Sequence, residues 1–202
     1  MRKLLLVLVF VQFLFGANAQ SIVVNPSGAP ESSYDAEQLL TDVLLDGGAC
    51  SSSSNFQLKD NPSEQFPSAN RSWGYFTKGN SNFPFSEGIV LTSGYAKDAE
   101  GPNTGIMSQG GADWTGDPDA DFLAQIGTNN ATIFEFDFVP QGNQISFNYI
   151  FASEEYPDYA CSTYNDVFAF IISGPGIVND PGLSGKNIAL LPDGNPVTIN
   201  TV

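Results

Sequence analysis

The chain of 202 residues has no histidine, only two cysteines and only seven lysines and arginines. Without histidine no Ser-His-Asp or Cys-His triad can be assembled, and most zinc sites lose a principal ligand. The shortage of positive charge is as informative. Against those seven stand 22 acidic residues, a formal charge of −15. Such a surface repels phosphate backbones and anionic lipid, so no nucleic-acid partner is expected. No glycine-rich loop opens a helix ahead of a Lys-Ser/Thr pair, so nucleotide binding has no support. Past residue 19 no apolar run approaches the roughly 20 residues of a membrane span, and no membrane insertion of the mature domain is expected. Cys50 and Cys161 are candidates for a disulfide if the compartment is oxidising. Closing so long a loop would contribute at most about 4.7 kcal/mol in the chain-entropy picture.

What is present begins with an export leader. Arg2 and Lys3 precede a run over residues 4–15 that is apolar except for Gln12. Ala17-Asn18-Ala19 then supplies small residues where a signal peptidase reads, so residues 1–19 read as a signal peptide and Gln20 as the first mature residue. No cysteine follows the run, which gives no support to a lipid anchor. The remaining 183 residues suffice for one domain with a real core. Losing Arg2 and Lys3 leaves five basic residues against 22 acidic ones, a formal charge of −17. That acidity serves solubility outside the cell or binding of cations.

Residues 20–33 form a polar lead-in, and a β domain is expected over 34–202. Ser33 as N-cap, Asp35 and Glu37 in the first turn, and Gly47-Gly48 as the stop delimit one helix. Its stripe of Ala36, Leu39, Leu40, Val43 and Leu44 should lie on a sheet. Residues 50–82 read as short strands and long loops with aromatic islands, and residues 88–92 as a buried strand. In residues 131–139, Phe134, Phe136 and Phe138 alternate with Glu135 and Asp137. In residues 144–151, Ile145, Phe147, Tyr149 and Phe151 form one face. These two runs are expected to make an antiparallel hairpin. Residues 166–173 should be a central strand, with further strands at 188–191 and 197–202. The fold class is therefore mainly β, an antiparallel sandwich or jelly roll with one docked helix and one short helix. The strand-like run at Thr201-Val202 gives the expectation of a longer protein.

Carboxylates are the candidate chemistry. Asp117, Asp119 and Asp121 have the alternate spacing of cation loops, but an EF-hand would need Gly and Glu where Phe122 and Thr128 stand. The favoured reading is a helix start, with Asp117 as cap, Pro118 at its first position, and Phe122, Leu123 and Ile126 facing the core. Glu135 and Asp137 share a strand face, Glu154-Glu155 follow the next strand, and Asp166 opens another. In a sandwich these five can converge at one end and offer oxygens to Ca²⁺. Two alternatives stand beside that reading. One is a solvated sheet face with strand-end turns. The other is a carbohydrate-active enzyme or glycan-binding module with paired carboxylates and walls from Trp73, Tyr75 or Trp114. Asn70-Arg71-Ser72 and Asn130-Ala131-Thr132 match the glycosylation sequon, which matters only in a eukaryotic secretory route.

Three blocks carry a family likeness: Ala131-Thr-Ile-Phe-Glu-Phe-Asp-Phe-Val-Pro140, Ile145-Ser-Phe-Asn-Tyr-Ile-Phe-Ala-Ser-Glu-Glu-Tyr-Pro157 and Tyr164-Asn-Asp-Val-Phe-Ala-Phe-Ile-Ile-Ser-Gly-Pro-Gly176. They resemble the choice-of-anchor L domain, and Gly88-Ile-Val-Leu-Thr-Ser-Gly94 and Asn187-Ile-Ala-Leu-Leu-Pro192 look like its flanking blocks. The likeness covers roughly residues 36–202, and its most specific part is the Phe-Ala-Ser-Glu-Glu-Tyr run. The resemblance implies an extracellular domain of bacterial surface proteins, similar to adhesin-like modules and without catalysis. It further implies a sorting or anchor domain beyond Val202. Glu154, Glu155 and Asp166 belong to the motif, but no ligand role comes with them. The combined expectation is a non-enzymatic exported domain that contacts a surface polysaccharide or protein, with Ca²⁺ as its one candidate cofactor. A passive spacer in a large surface protein is the other non-catalytic reading.

Overall fold

A computed structural model describes residues 21–45, 51–63, 69–102, 105, 107, 109–140 and 142–202. The leader, the Gly47-Gly48 helix stop and Cys50 lie outside the described residues. The chain is mainly β, every ladder between its described strands is antiparallel, and its helices are few and short.

The first half is built around one strand buried on both faces. β1 (Val23–Val24) pairs with β3 (Trp73–Thr77), and β3 with β4 (Glu87–Leu91). Trp73 and Tyr75 point to one face and Phe76 to the other, the two-residue alternation of a strand. On the first face they pack with Ala36 and Leu39, joined by Ile89, Phe56 and Phe134. On the second, Phe76 packs with Val24 and Ala96. Burying a side chain of this size stabilises by about 1.5–3 kcal/mol, so these two clusters hold the first half together.

The helix forms where the apolar stripe predicts, and its face docks on β3. Its cap is Asp35 rather than Ser33. Asp35 accepts from the Gln38 amide at 2.8 Å, and the Gln38 side chain accepts from the Asp35 amide at 2.9 Å, a reciprocal capping box. Ser33 instead closes a 3₁₀ turn, Pro30–Ser33. The helix runs as α1 (Ala36–Gln38) and widens into π turns over Leu39–Leu44, with Leu39 and Leu40 fully buried.

The lead-in is stitched to β3 by Asn25 and Arg71. Asn25 takes a left-handed backbone, φ 49°, and its side-chain oxygen accepts from the Tyr75 amide at 3.1 Å and from Arg71 at 2.9 Å. Arg71 is buried, donates also to the Ser32 carbonyl, and lies 4.3 Å from the Trp73 ring centroid. Gly74 permits this approach, since a Cβ there would stand 2.8 Å from the Asn25 oxygen. The outer edge of β1 is occupied by a side-chain ion pair. Glu100 accepts from the Val24 amide at 2.7 Å, Lys97 donates to the Val24 carbonyl at 3.0 Å, and the two meet at 2.6 Å.

β5 (Ile133–Pro140) departs from expectation in its partner. It pairs with β2 (Ser51–Lys59) rather than with residues 144–151. The cause is the shared core: Phe56 of β2 meets Phe134 of β5 edge-on at 5.4 Å, and Phe134 meets Trp73 at 6.1 Å. The side-chain alternation in β5 is as expected, with Phe134, Phe136 and Phe138 half-buried and Glu135 and Asp137 exposed. The expected central strand 166–173 is split into β6 (Val167–Phe168) and β7 (Ile171–Ile172). These pair with β9 (Val197–Thr198) and β8 (Lys186–Asn187) respectively. Beyond β9 the backbone turns back, with the Thr201 and Val202 amides donating to the Thr198 carbonyl, so the strand expected over 197–202 is short.

α2 (Pro118–Ala124) starts as the sequence indicates, on an Asp117 cap with Pro118 in its first turn. Its apolar face differs. Ala124 is buried, whereas Phe122 and Ile126 are 53% and 43% exposed, against the expectation that both face the core. The helix ends at Gln125 in left-handed conformation, so Ile126 falls outside its periodicity. Phe122 covers Gly182, where a Cβ would come within 2.3 Å of the ring.

Candidate functional site

Residues 143–152 carry no charge, and Ile145, Phe147 and Tyr149 meet Phe170, Ile172 and Ile188 around an open cleft of about 380 Å³. Phe147 stacks on Phe170 at 4.8 Å and 20°, and Tyr149 lies 4.9 Å from Phe168. Such ring pairs add about 0.5–1.5 kcal/mol each beyond burial. No carboxylate is among the residues lining the cleft.

The same segment runs directly into Glu154 and Glu155, where an acidic corner is tied together from three parts of the chain. Tyr159 donates its amide to the Glu155 carbonyl at 2.9 Å, and the Tyr156 hydroxyl donates to the Ile199 carbonyl at 2.8 Å. Ile199 in turn donates its amide to the Asp166 carbonyl at 3.0 Å. Asn165 donates to the Ala124 carbonyl at 3.0 Å and accepts from the Asn200 amide at 3.1 Å, which anchors the corner to the end of α2.

Electrostatics set this corner apart. Burial pushes the Glu155 carboxyl above its ordinary range, and the charges of Asp166 and then Glu154 push it further. Asp166 is raised too, first by the protein packed around its carboxyl and then by Glu154, although its surface is largely exposed. One Glu155 carboxylate oxygen is buried and accepts no hydrogen bond. Glu154 accepts a short bond from the Met107 amide. Three of the five carboxylates expected to converge are thus coupled here.

Glu135 and Asp137 sit in a different setting. They lie exposed on the β2–β5 ladder, Glu135 opposite Gln57, while Asp137 accepts from the Asn55 side chain at 2.6 Å. Among the described residues no group of three or more His, Cys, Asp or Glu side chains is arranged to hold a metal ion. The Asp117-119-121 trio is taken up by the fold. Asp117 accepts from the Asp119 and Ala120 amides, Asp119 from the Ser184 amide and hydroxyl, and Asp121 from the Thr128 amide and hydroxyl.

Cys161 is a free, exposed thiol, and Cys50, its expected partner, lies outside the described residues. It sits in a turn with left-handed backbone, φ 64°, its amide held by the Asn200 side chain at 2.6 Å. The expected aromatic walls of a sugar cleft are also corrected. Trp73, Tyr75 and Trp114 are all at most 4% exposed. Their polar atoms are engaged with Asp60, Glu87 and the Ala131 carbonyl. The cleft that does exist draws on the alternating face of residues 144–151 and the apolar run of 166–173, but their neighbourhood is a tertiary fact. Asn130 of the second sequon donates to the Gln109 carbonyl at 2.7 Å and to that of Ser93 at 3.3 Å, which occupies the amide a glycan would need. Among the described residues no helix is long and apolar enough to cross a membrane.

With this geometry in place, comparison with known proteins gives one match. The family model described as Choice-of-anchor L domain aligns with residues 24–202. Neither a curated protein nor a solved structure gives a match.

Proposed function

The chain belongs to the choice-of-anchor L domain family, and on that footing we propose that it is an adhesive module whose contact region is held in shape by calcium. The family is one of surface-associated domains of bacterial proteins and is not known for catalysis. The finer reading rests on one juxtaposition. An uncharged aromatic cleft runs straight into Glu154, Glu155 and Asp166, whose charges repel one another. Hard cations take six to eight oxygens, carboxylates foremost. A Ca²⁺ between the Glu154-Glu155 turn and Asp166 would relieve that repulsion and use the unpartnered Glu155 oxygen. The three groups would have to draw together to ligate it. The cleft beside them would supply apolar contact to a polysaccharide or protein surface.

The test is thermal melting of the mature domain in chelator and in millimolar calcium, followed by retention on immobilised polysaccharides in both conditions. Calcium is expected to raise the melting temperature, and Glu155→Gln to abolish the rise. An unchanged melting temperature removes the metal. Absence of retention in both conditions leaves a passive spacer as the function.

A further inference from the structure

We propose that residues 144–151 are a strap that closes onto β6 and β7 as an antiparallel strand, in a register already set by the aromatic pairs. Phe147 faces Phe170 and Tyr149 faces Phe168, and Ile145 shares the cleft with Ile172. In each pair one partner advances by two as the other retreats by two, which is the antiparallel rule. Continued, the register sets Phe151 opposite Asp166 and leaves residues 152–165 as the connection, with Glu154 and Glu155 at its mouth.

The backbone on both sides is prepared for this ladder. Residues of even number from Asp166 to Ile172 direct their N–H and C=O groups toward β8 and β9. Phe170 accepts from the Ile188 amide at 2.8 Å, and Asp166 accepts from that of Ile199 at 3.0 Å. Groups alternate sides along a strand, so Val167, Ala169 and Ile171 face the strap. Opposite them the register places Ile150, Asn148 and Ser146. Among the described residues, Ser146, Asn148, Ile150 and Ala169 make no backbone hydrogen bond, and Val167 and Ile171 stand opposite Thr198 and Asn187 at the non-hydrogen-bonded positions of their ladders. Two facing rows of unmet donors and acceptors beside an apolar surface are a template for strand pairing. The stacked rings occupy the non-hydrogen-bonded pairs, where side chains across a ladder approach most closely. Closure eliminates the cleft between the rungs and brings the Glu154-Glu155 turn over Asp166. The link between closure and calcium rests on the reading under Proposed function; closure itself does not.

Residue-resolved amide hydrogen exchange on the mature protein, in chelator and in millimolar calcium, tests this. Closure predicts protection of the Ser146, Asn148, Ile150, Val167, Ala169 and Ile171 amides by at least about 100-fold over unstructured rates. The Phe147 and Tyr149 amides should exchange faster than their neighbours. Phe147→Ala with Tyr149→Ala should remove that protection and leave the Tyr75 and Val90 amides, bonded to Asn25 and to β3, protected, which shows that the domain is still folded. Protection in both conditions supports the strap and removes calcium as its cause. Protection only in calcium supports both. Fast exchange at all six amides in both conditions, or protection of the odd-numbered amides of the strap instead, overturns the proposal.

Discussion

Asp117, Asp119 and Asp121 form one trio of carboxylates and Glu154, Glu155 and Asp166 another, and folding treats them in opposite ways. Thr128 gives Asp121 a hydroxyl and an amide, which hold its carboxyl below the ordinary range. Its contribution to stability is present above the unfolded pKa and is lost as pH falls through the depressed one. Glu155 and Asp166 are shifted the other way. Between the unfolded pKa and the raised one, the folded chain holds more protons than the unfolded chain. Their contribution is therefore complete below the unfolded value, near pH 4, and declines as pH rises through the folded value. Glu155→Gln fixes the neutral form. In chelator it should melt at or above the wild-type temperature at pH 7, and its melting temperature should fall less between about pH 4 and 7. Superimposable pH profiles for the two proteins would show that the corner is not strained.

At the level of elements, α2 and the strand pairings show how local and non-local information divide. The cap of α2 was readable in Asp117-Pro118, and Asp117→Ala should cost about 1 kcal/mol. Urea unfolding would measure it, and a cost near zero would mean that Pro118 and the Asp119–Ser184 contact suffice to start the helix. The stripe of Ala36, Leu39 and Leu40 was equally legible, because helical periodicity is a property of nine consecutive residues. The partner of β5 was not. Ser51 to Ser54 give β2 a polar face that reads as a loop, and its pairing with β5 is fixed by Phe56 meeting Phe134 and Trp73 from distant parts of the chain. Phe122 teaches the same point on a smaller scale. Periodicity selects a helix face, but the loop at Gly182, rather than the core, covers it. The division of the five acidic residues follows directly. Glu135 and Asp137 travel with β5 to the β2 ladder, and Glu154, Glu155 and Asp166 stay where β6 and β9 meet.

For the molecule as a whole, the acidic excess opposes folding through self-repulsion, and only five cations past residue 19 offset it. Two of these, Arg71 and Lys97, are tied into the lead-in and the β1 edge. Monovalent salt should therefore stabilise the domain, with the melting temperature rising as ionic strength goes from about 10 to 150 mM and the screening length shrinks from about 30 to 8 Å. A flat or falling response would mean that local ion pairs outweigh the net field. The Lys97–Glu100 pair has a consequence of another kind. By occupying both outward backbone groups of Val24 it leaves no open hydrogen-bonding sites at that position of the sheet. Where many copies stand side by side, neighbours cannot add strand to strand there and grow into a fibre. Crowding is then tolerated along the β1 margin.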